Sequence, residues 1–158
     1  MSKVFEDCFT ALQTDMILTC LEYVEKKADK IYIYGSFEEK IISCDFFYCI
    51  NGRVVKKHQL NDAVYGGNFR YDVSTVRQCA VLDILVEDIE KLYSLCNEYR
   101  KEMPTEIRIV YDVKKNSVRA DFQYDLVYSN ENERTSHDIV TEWFEEVRNL
   151  YNEKGDIV

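Results

Sequence analysis

The sequence predicts an α+β domain with elements in the order α-β-β-β-α-β-β-α: an antiparallel sheet of about five strands with three helices packed mainly on one face. Three observations carry this. Apolar residues recur every three to four positions near the start, middle and end of the chain; the stretches between alternate with a period of two; and an Asn-Gly pair joins two of the alternating runs. The 158 residues fit a single domain, residues 1–158, because one hydrophobic core commonly organises about 100 to 200 residues.

Over residues 3–27, Phe5, Cys8, Phe9, Leu12, Met16, Cys20 and Tyr23 mark one stripe of a long helix. Ile17, Leu21 and Val24 widen the stripe, so this helix is expected to be covered on more than one side, with Asp7, Asp15, Glu22 and Glu25 left to solvent. The period then drops to two. Ile31 and Ile33 alternate with Tyr32 and Tyr34, and Ile42, Cys44, Phe46, Tyr48 and Ile50 share one face of the next strand. Asn51 and Gly52 suit the two positive-φ positions of a type I′ turn, which returns the chain as a third strand over residues 53–57. Periodicity lapses over residues 58–71, where Gly66-Gly67-Asn68 marks a loop.

Asp72 or Ser74 can cap a second helix running to about Lys101, with Leu82, Leu85, Ile89, Leu92, Tyr93 and Cys96 on its buried stripe and Pro104 beyond its end. Two strands follow: Ile107, Ile109, Tyr111 and Val113 share one face, and Val118, Ala120, Phe122 and Tyr124 share one face of the partner. A turn over residues 114–117 sets Asp112 opposite Arg119 and Arg108 opposite Gln123, leaving one sheet face polar and wet. Thr135 and Asp138 form a capping-box pattern ahead of a last helix that reaches about Glu153. Its apolar side carries Ile139, Val140, Trp143, Val147, Leu150 and Tyr151, and its other side Asp138, Glu142, Glu145, Glu146 and Glu153.

Twenty basic residues against twenty-nine acidic ones give a net charge of −9, a field that repels phosphate backbones and anionic lipid and argues against direct nucleic-acid binding. No stretch approaches the roughly 20 apolar residues of a membrane-spanning helix, and Glu6 and Asp7 interrupt the start where a secretory signal would be basic and then apolar. Six scattered cysteines without a CxxC pair read as reduced core residues, so a cytoplasmic location is expected.

Neither GxGxxG nor GxxxxGK[ST] occurs, so no nucleotide or other cofactor is expected. His58 and His137, the sole imidazoles, have no recognisable nucleophile or metal-ligand spacing and read as surface residues. Asp121 with Asp125, or Glu38 with Glu39 in a predicted turn, could ligate a divalent ion, but ordinary solvated charges account for both pairs, and no metal or catalytic residue is assigned. The composition is more telling. Residues 129–158 carry eight acids against three bases, and the chain holds twelve tyrosines; a negative surface speeds encounter with a basic protein, and tyrosine adds contact area at low rotamer cost.

The run KIYIYGSFEEKIISCDFFY at residues 30–48, followed by EIRIVYDVKKNSVRADFQYD at residues 106–125, resembles the YezG-like immunity proteins, bacterial antitoxins that neutralise nuclease toxins. The resemblance spans roughly residues 5–125 and is nearest at the DFxYD run ending at Asp125. It implies a non-enzymatic cytoplasmic protein that binds a cognate toxin, a basic nuclease domain, stoichiometrically through an acidic surface with aromatic anchors. Charge and expected exposure single out Glu38, Glu39, Asp121, Tyr124, Asp125, Tyr128, Glu131, Glu133, Glu142, Glu145 and Glu146 as the contact residues. Two other classes stand beside it: a small hydrolase using paired carboxylates such as Asp121 and Asp125, and a homo-oligomeric module packing through the wet sheet face or the last helix.

Overall fold

A computed structural model describes residues 2–130 and 133–154. The elements are α1 (Ser2–Tyr23), β1 (Lys30–Glu38), β2 (Ile41–Ile50), β3 (Arg53–Lys56), α2 (Thr75–Glu98), β4 (Glu106–Asp112), β5 (Ser117–Gln123) and α3 (Ser136–Lys154), with a 3₁₀ turn at Leu60–Ala63 inside the predicted loop. The strands form one antiparallel sheet in the order β3-β2-β1-β4-β5, as the sequence predicts for an α+β domain.

Local chemistry sets the boundaries. Asn51 and Gly52 take φ of 51° and 77°, the expected type I′ turn between β2 and β3. Glu39 and Lys40 adopt the same left-handed conformation, at 53° and 64°, so β1 and β2 are joined by an equally tight turn without glycine. The Ser74 hydroxyl accepts the Arg77 N–H at the start of α2, and Asp72 accepts the Ser74 N–H just ahead of it. At α3 the predicted capping box forms in both directions: Thr135 N donates to Asp138 Oδ2 at 2.9 Å, and Asp138 N donates to Thr135 Oγ1 at 3.3 Å.

Two hydrophobic clusters lie on opposite faces of the sheet. On the first face Ile31, Ile33, Phe46, Tyr48, Ile50, Ile107 and Ile109 pack against Met16, Cys20 and Tyr23 of α1 and Leu85, Ile89 and Leu92 of α2. Tyr48 satisfies its buried hydroxyl by donating to the Cys20 carbonyl at 2.7 Å. On the second face Tyr32, Tyr34, Phe47 and Cys49 pack under Ile139, Val140, Trp143, Phe144 and Val147 of α3. Trp143 stands edge-on to Tyr32 and Phe47, with centroids 5.9 and 5.1 Å apart, and the Arg108 guanidinium lies 5.1 Å from its ring. At about 1.5–3 kcal/mol per large apolar side chain buried, this second layer contributes substantially to stability.

Two helices share the first face, and the third covers the β1–β3 half of the second. The predicted wet surface therefore survives at β5, where Ser117, Arg119, Asp121 and Gln123 are exposed, and not across the whole sheet. The β4–β5 register also differs from expectation. The turn occupies residues 113–116, with Asn116 at φ 48° and Lys115 N donating to Asp112 Oδ1, so Asp112 faces Ser117, Val110 faces Arg119 and Arg108 faces Asp121. A shift of two residues preserves which side chains share a face, so the facing pattern holds while the partners change. The first half of α1 is only half covered, leaving Cys8 exposed; Cys79 on α2 is exposed too, and both depart from the expected burial of all six thiols.

Candidate functional site

The contact residues chosen from sequence fall into three settings. Glu38, expected at the surface, is buried at the end of β1. The tight turn at Glu39 and Lys40 begins beyond it, and the period of two turns its carboxylate onto the second face of the sheet. There it accepts the backbone N–H groups of Val127 at 2.8 Å, Ser129 at 2.9 Å and Tyr128 at 3.4 Å. Tyr128 turns inward with it, its hydroxyl 3.0 Å from Ser36 Oγ, and packs against the second cluster. Both support the segment after β5 from within, which corrects the expected exposure of Glu38 and leaves Tyr128 partly covered.

The second setting is that segment itself. Asp121, Tyr124 and Asp125 are exposed at and just beyond the end of β5; Tyr124 is 48% and the neighbouring Leu126 43% exposed. Asp121 lies 3.8 Å from Arg119. The chain leaves the strand along a fixed path, because the Thr105 hydroxyl donates to the Asp125 carbonyl at 2.6 Å and Glu38 grips the next turn. Partial burial pushes the Tyr124 phenol up from its ordinary value, with nearby Cys96 and Glu102 adding to the shift. Glu39, in the β1–β2 turn beside this segment's anchor, is exposed, as is Glu133; Glu131 lies outside the described residues.

The third setting is the solvent side of α3, over the opposite half of the sheet. Glu142 and Glu145 are engaged by Arg134 and Arg148, which reduces the field the helix projects, while Glu146 is exposed. Among the described residues, the selected acids are thus divided between the β1–β2 turn, the end of β5, and α3 with the segment just before it, and do not form one continuous patch. A larger imbalance, missed from sequence, lies on the other face of the molecule: α1 and α2 together hold nine acidic residues against Lys3, Arg77 and Lys91. Counting charge by element rather than by segment would have found it.

Folding also creates neighbours that no spacing announced. His58 and His137, far apart in the chain, line one notch with Asp45, Lys57 and Phe144, because a 2.7 Å contact between Ser43 and Ser136 hydroxyls sets the start of α3 over β2. Lys57 closes an ion pair with Asp45 at 2.7 Å there. The notch holds about 100 Å³, below the roughly 300 Å³ where ligand pockets begin. Between α1 and α2, a groove of about 410 Å³ is lined by Asp15, Asp88, Lys91 and Cys8. Asp88 is buried, and its carboxyl is pushed up to about 7, first by burial and then by the hydrogen bond and charge of Asp15. Among the described residues, no group of three or more His, Cys, Asp and Glu side chains is placed to hold a metal ion. Comparison with protein-family models and with curated proteins finds no match to this chain, so its family is not fixed by those comparisons.

Proposed function

We propose that the chain is a non-catalytic immunity protein that acts in the cytoplasm and neutralises a cognate toxin, a basic nuclease domain, by stoichiometric binding. The observation carrying the reading is the exposed segment after β5, where Tyr124 and Leu126 flank Asp125, with Asp121 exposed nearby on β5, on a backbone anchored by the buried Glu38 carboxylate. An aromatic anchor with an acidic rim suits a basic cleft, and a segment already held in place loses little entropy on docking. The YezG-like pattern at residues 30–48 and 106–125 and the net charge of −9 support the same reading.

Co-expression with the protein encoded beside this chain tests it. Neutralisation and a one-to-one complex by gel filtration are expected. Tyr124→Ala with Asp125→Lys should abolish rescue, whereas Glu87→Lys with Glu90→Lys on the outer side of α2 should leave it intact; the reverse result would move the docking face to the helices. If no neighbouring toxin is neutralised, the immunity reading fails.

A carboxylate-dependent hydrolase is the second reading, and one observation favours it: the raised Asp88 carboxyl beside Asp15 in an open groove is the kind of pair that divides into acid and base. This moves the chemistry away from Asp121 and Asp125, which are exposed. Loss of a measured hydrolytic turnover in Asp88→Asn, with the fold intact by circular dichroism, would favour this reading.

A further inference from the structure

We propose that β5 is a pairing edge through which two copies of this chain join their sheets, with the two β5 strands antiparallel about a two-fold axis at Ala120. The strand is outermost in the sheet. Val113 N donates to the Asp29 carbonyl at 3.0 Å, which fixes the alternation along β4: Tyr111, Ile109 and Ile107 direct their peptide groups at β1, and Asp112, Val110, Arg108 and Glu106 direct theirs at β5. Their partners Ser117, Arg119, Asp121 and Gln123 are therefore occupied. Val118, Ala120 and Phe122 turn their N–H and C=O groups outward, where no hydrogen bond from another element reaches them among the described residues.

The opposite edge differs. Strand β3 spans four residues and is flanked by the 3₁₀ turn and α3. Over its seven residues β5 has no proline and no lysine, the usual devices that keep an edge from pairing, and Val118 is 50% exposed. Its two charges, Arg119 and Asp121, are opposite in sign and sit symmetrically about Ala120.

That symmetry selects both the partner and the register. With Ala120 on the axis, Arg119 of each copy faces Asp121 of the other, at the non-hydrogen-bonded positions where opposed Cα atoms approach to about 4.5 Å and side chains meet most closely. Residues 118, 120 and 122 supply the backbone bonds, and Val118 of each copy faces Phe122 of the other on the core side. Centring the axis on Arg119 would set arginine against arginine, and centring it on Asp121 would set carboxylate against carboxylate; each is disfavoured by like-charge repulsion. The pairing takes up Asp121, which the toxin-binding reading places on its acidic rim, and leaves Tyr124 and Asp125 beyond the strand end; it does not depend on that reading.

Sedimentation equilibrium of the full chain, alone and at about 10–200 μM, tests the pairing, because a strand-edge contact of this size suits roughly micromolar affinity. A reversible dimer is expected. Arg119→Asp and Asp121→Arg, each placing like charges face to face, should weaken it at least about tenfold, and the double exchange Arg119→Asp/Asp121→Arg should restore it. Ala120→Pro should give a monomer with an unchanged circular dichroism spectrum, since the lost N–H faces away from β4. A wild-type chain that stays monomeric across this range would overturn the proposal, and so would a dimer indifferent to both single reversals. Because no toxin is present, the result is separable from the immunity test.

Discussion

The Glu38 carboxylate accepts the backbone N–H of Val127 at 2.8 Å, joining the end of the first strand to a segment that follows the last one. With the bonds from Tyr128 and Ser129, it satisfies three consecutive backbone donors, and charge-assisted bonds of this kind are roughly twice as strong as neutral ones. Glu38→Ala leaves those donors without a partner and is expected to cost about 2–4 kcal/mol in urea unfolding, with Glu38→Gln intermediate because one acceptor oxygen remains. The variant should also be cut by protease in residues 124–130 before global unfolding. Stability within about 0.5 kcal/mol of wild type, the range of an ordinary surface change, would show that the clamp is not structural.

Gly35 of β1 leaves room for Ile89 of α2: a Cβ there would meet Ile89 Cδ1 at 3.0 Å and Cγ1 at 3.5 Å. Gly35→Ala should destabilise by about 1–2 kcal/mol, as overpacking in a filled core does. Ile89→Val removes Cδ1 and should itself cost about 1 kcal/mol. In the double variant the two should not add, and a coupling of at least about 0.5 kcal/mol by denaturant unfolding is the measure of the contact. Strict additivity would place the strain elsewhere.

Much of this architecture is legible in the sequence because local and tertiary preferences agree. Asn51-Gly52, the Thr135–Asp138 box and the alternation of Ile31 and Ile33 each specify their element without reference to the rest of the chain. What escaped is non-local. The unbroken apolar run Phe46–Ile50 signals burial on both sides of β2, yet only the placement of α3 shows what covers Phe47 and Cys49. Glu38 looks like a surface acid because its three partners are backbone groups some ninety residues away, and backbone donors leave no mark in a sequence. The register of β5 on β4 likewise depends on the turn at Asn116, whose shift of two sets Arg108 opposite Asp121 and not Gln123 while leaving the alternation of faces unchanged.

Asp88 supplies a pH dependence whose sign is fixed. It is buried on α2, its Oδ2 has no hydrogen-bond partner among the described residues, and burial with the Asp15 carboxyl beside it pushes its pKa up to about 7. In the unfolded chain an aspartate titrates near about 4. Between these values the folded state keeps a proton that the unfolded state releases, so the stabilising contribution is fully present below about pH 4 and is lost as pH rises through about 7. Asp88→Asn stays neutral throughout. Its stability relative to wild type should therefore improve between pH 4 and 8 by about 1–2 kcal/mol, allowing for solvent in the adjoining groove. Asp15→Asn, which removes the neighbouring charge, should shrink the slope in an otherwise unaltered chain. Urea unfolding at several pH values decides it: a difference between Asp88→Asn and wild type that stays level across this range would mean that Asp88 is ionised in the folded protein.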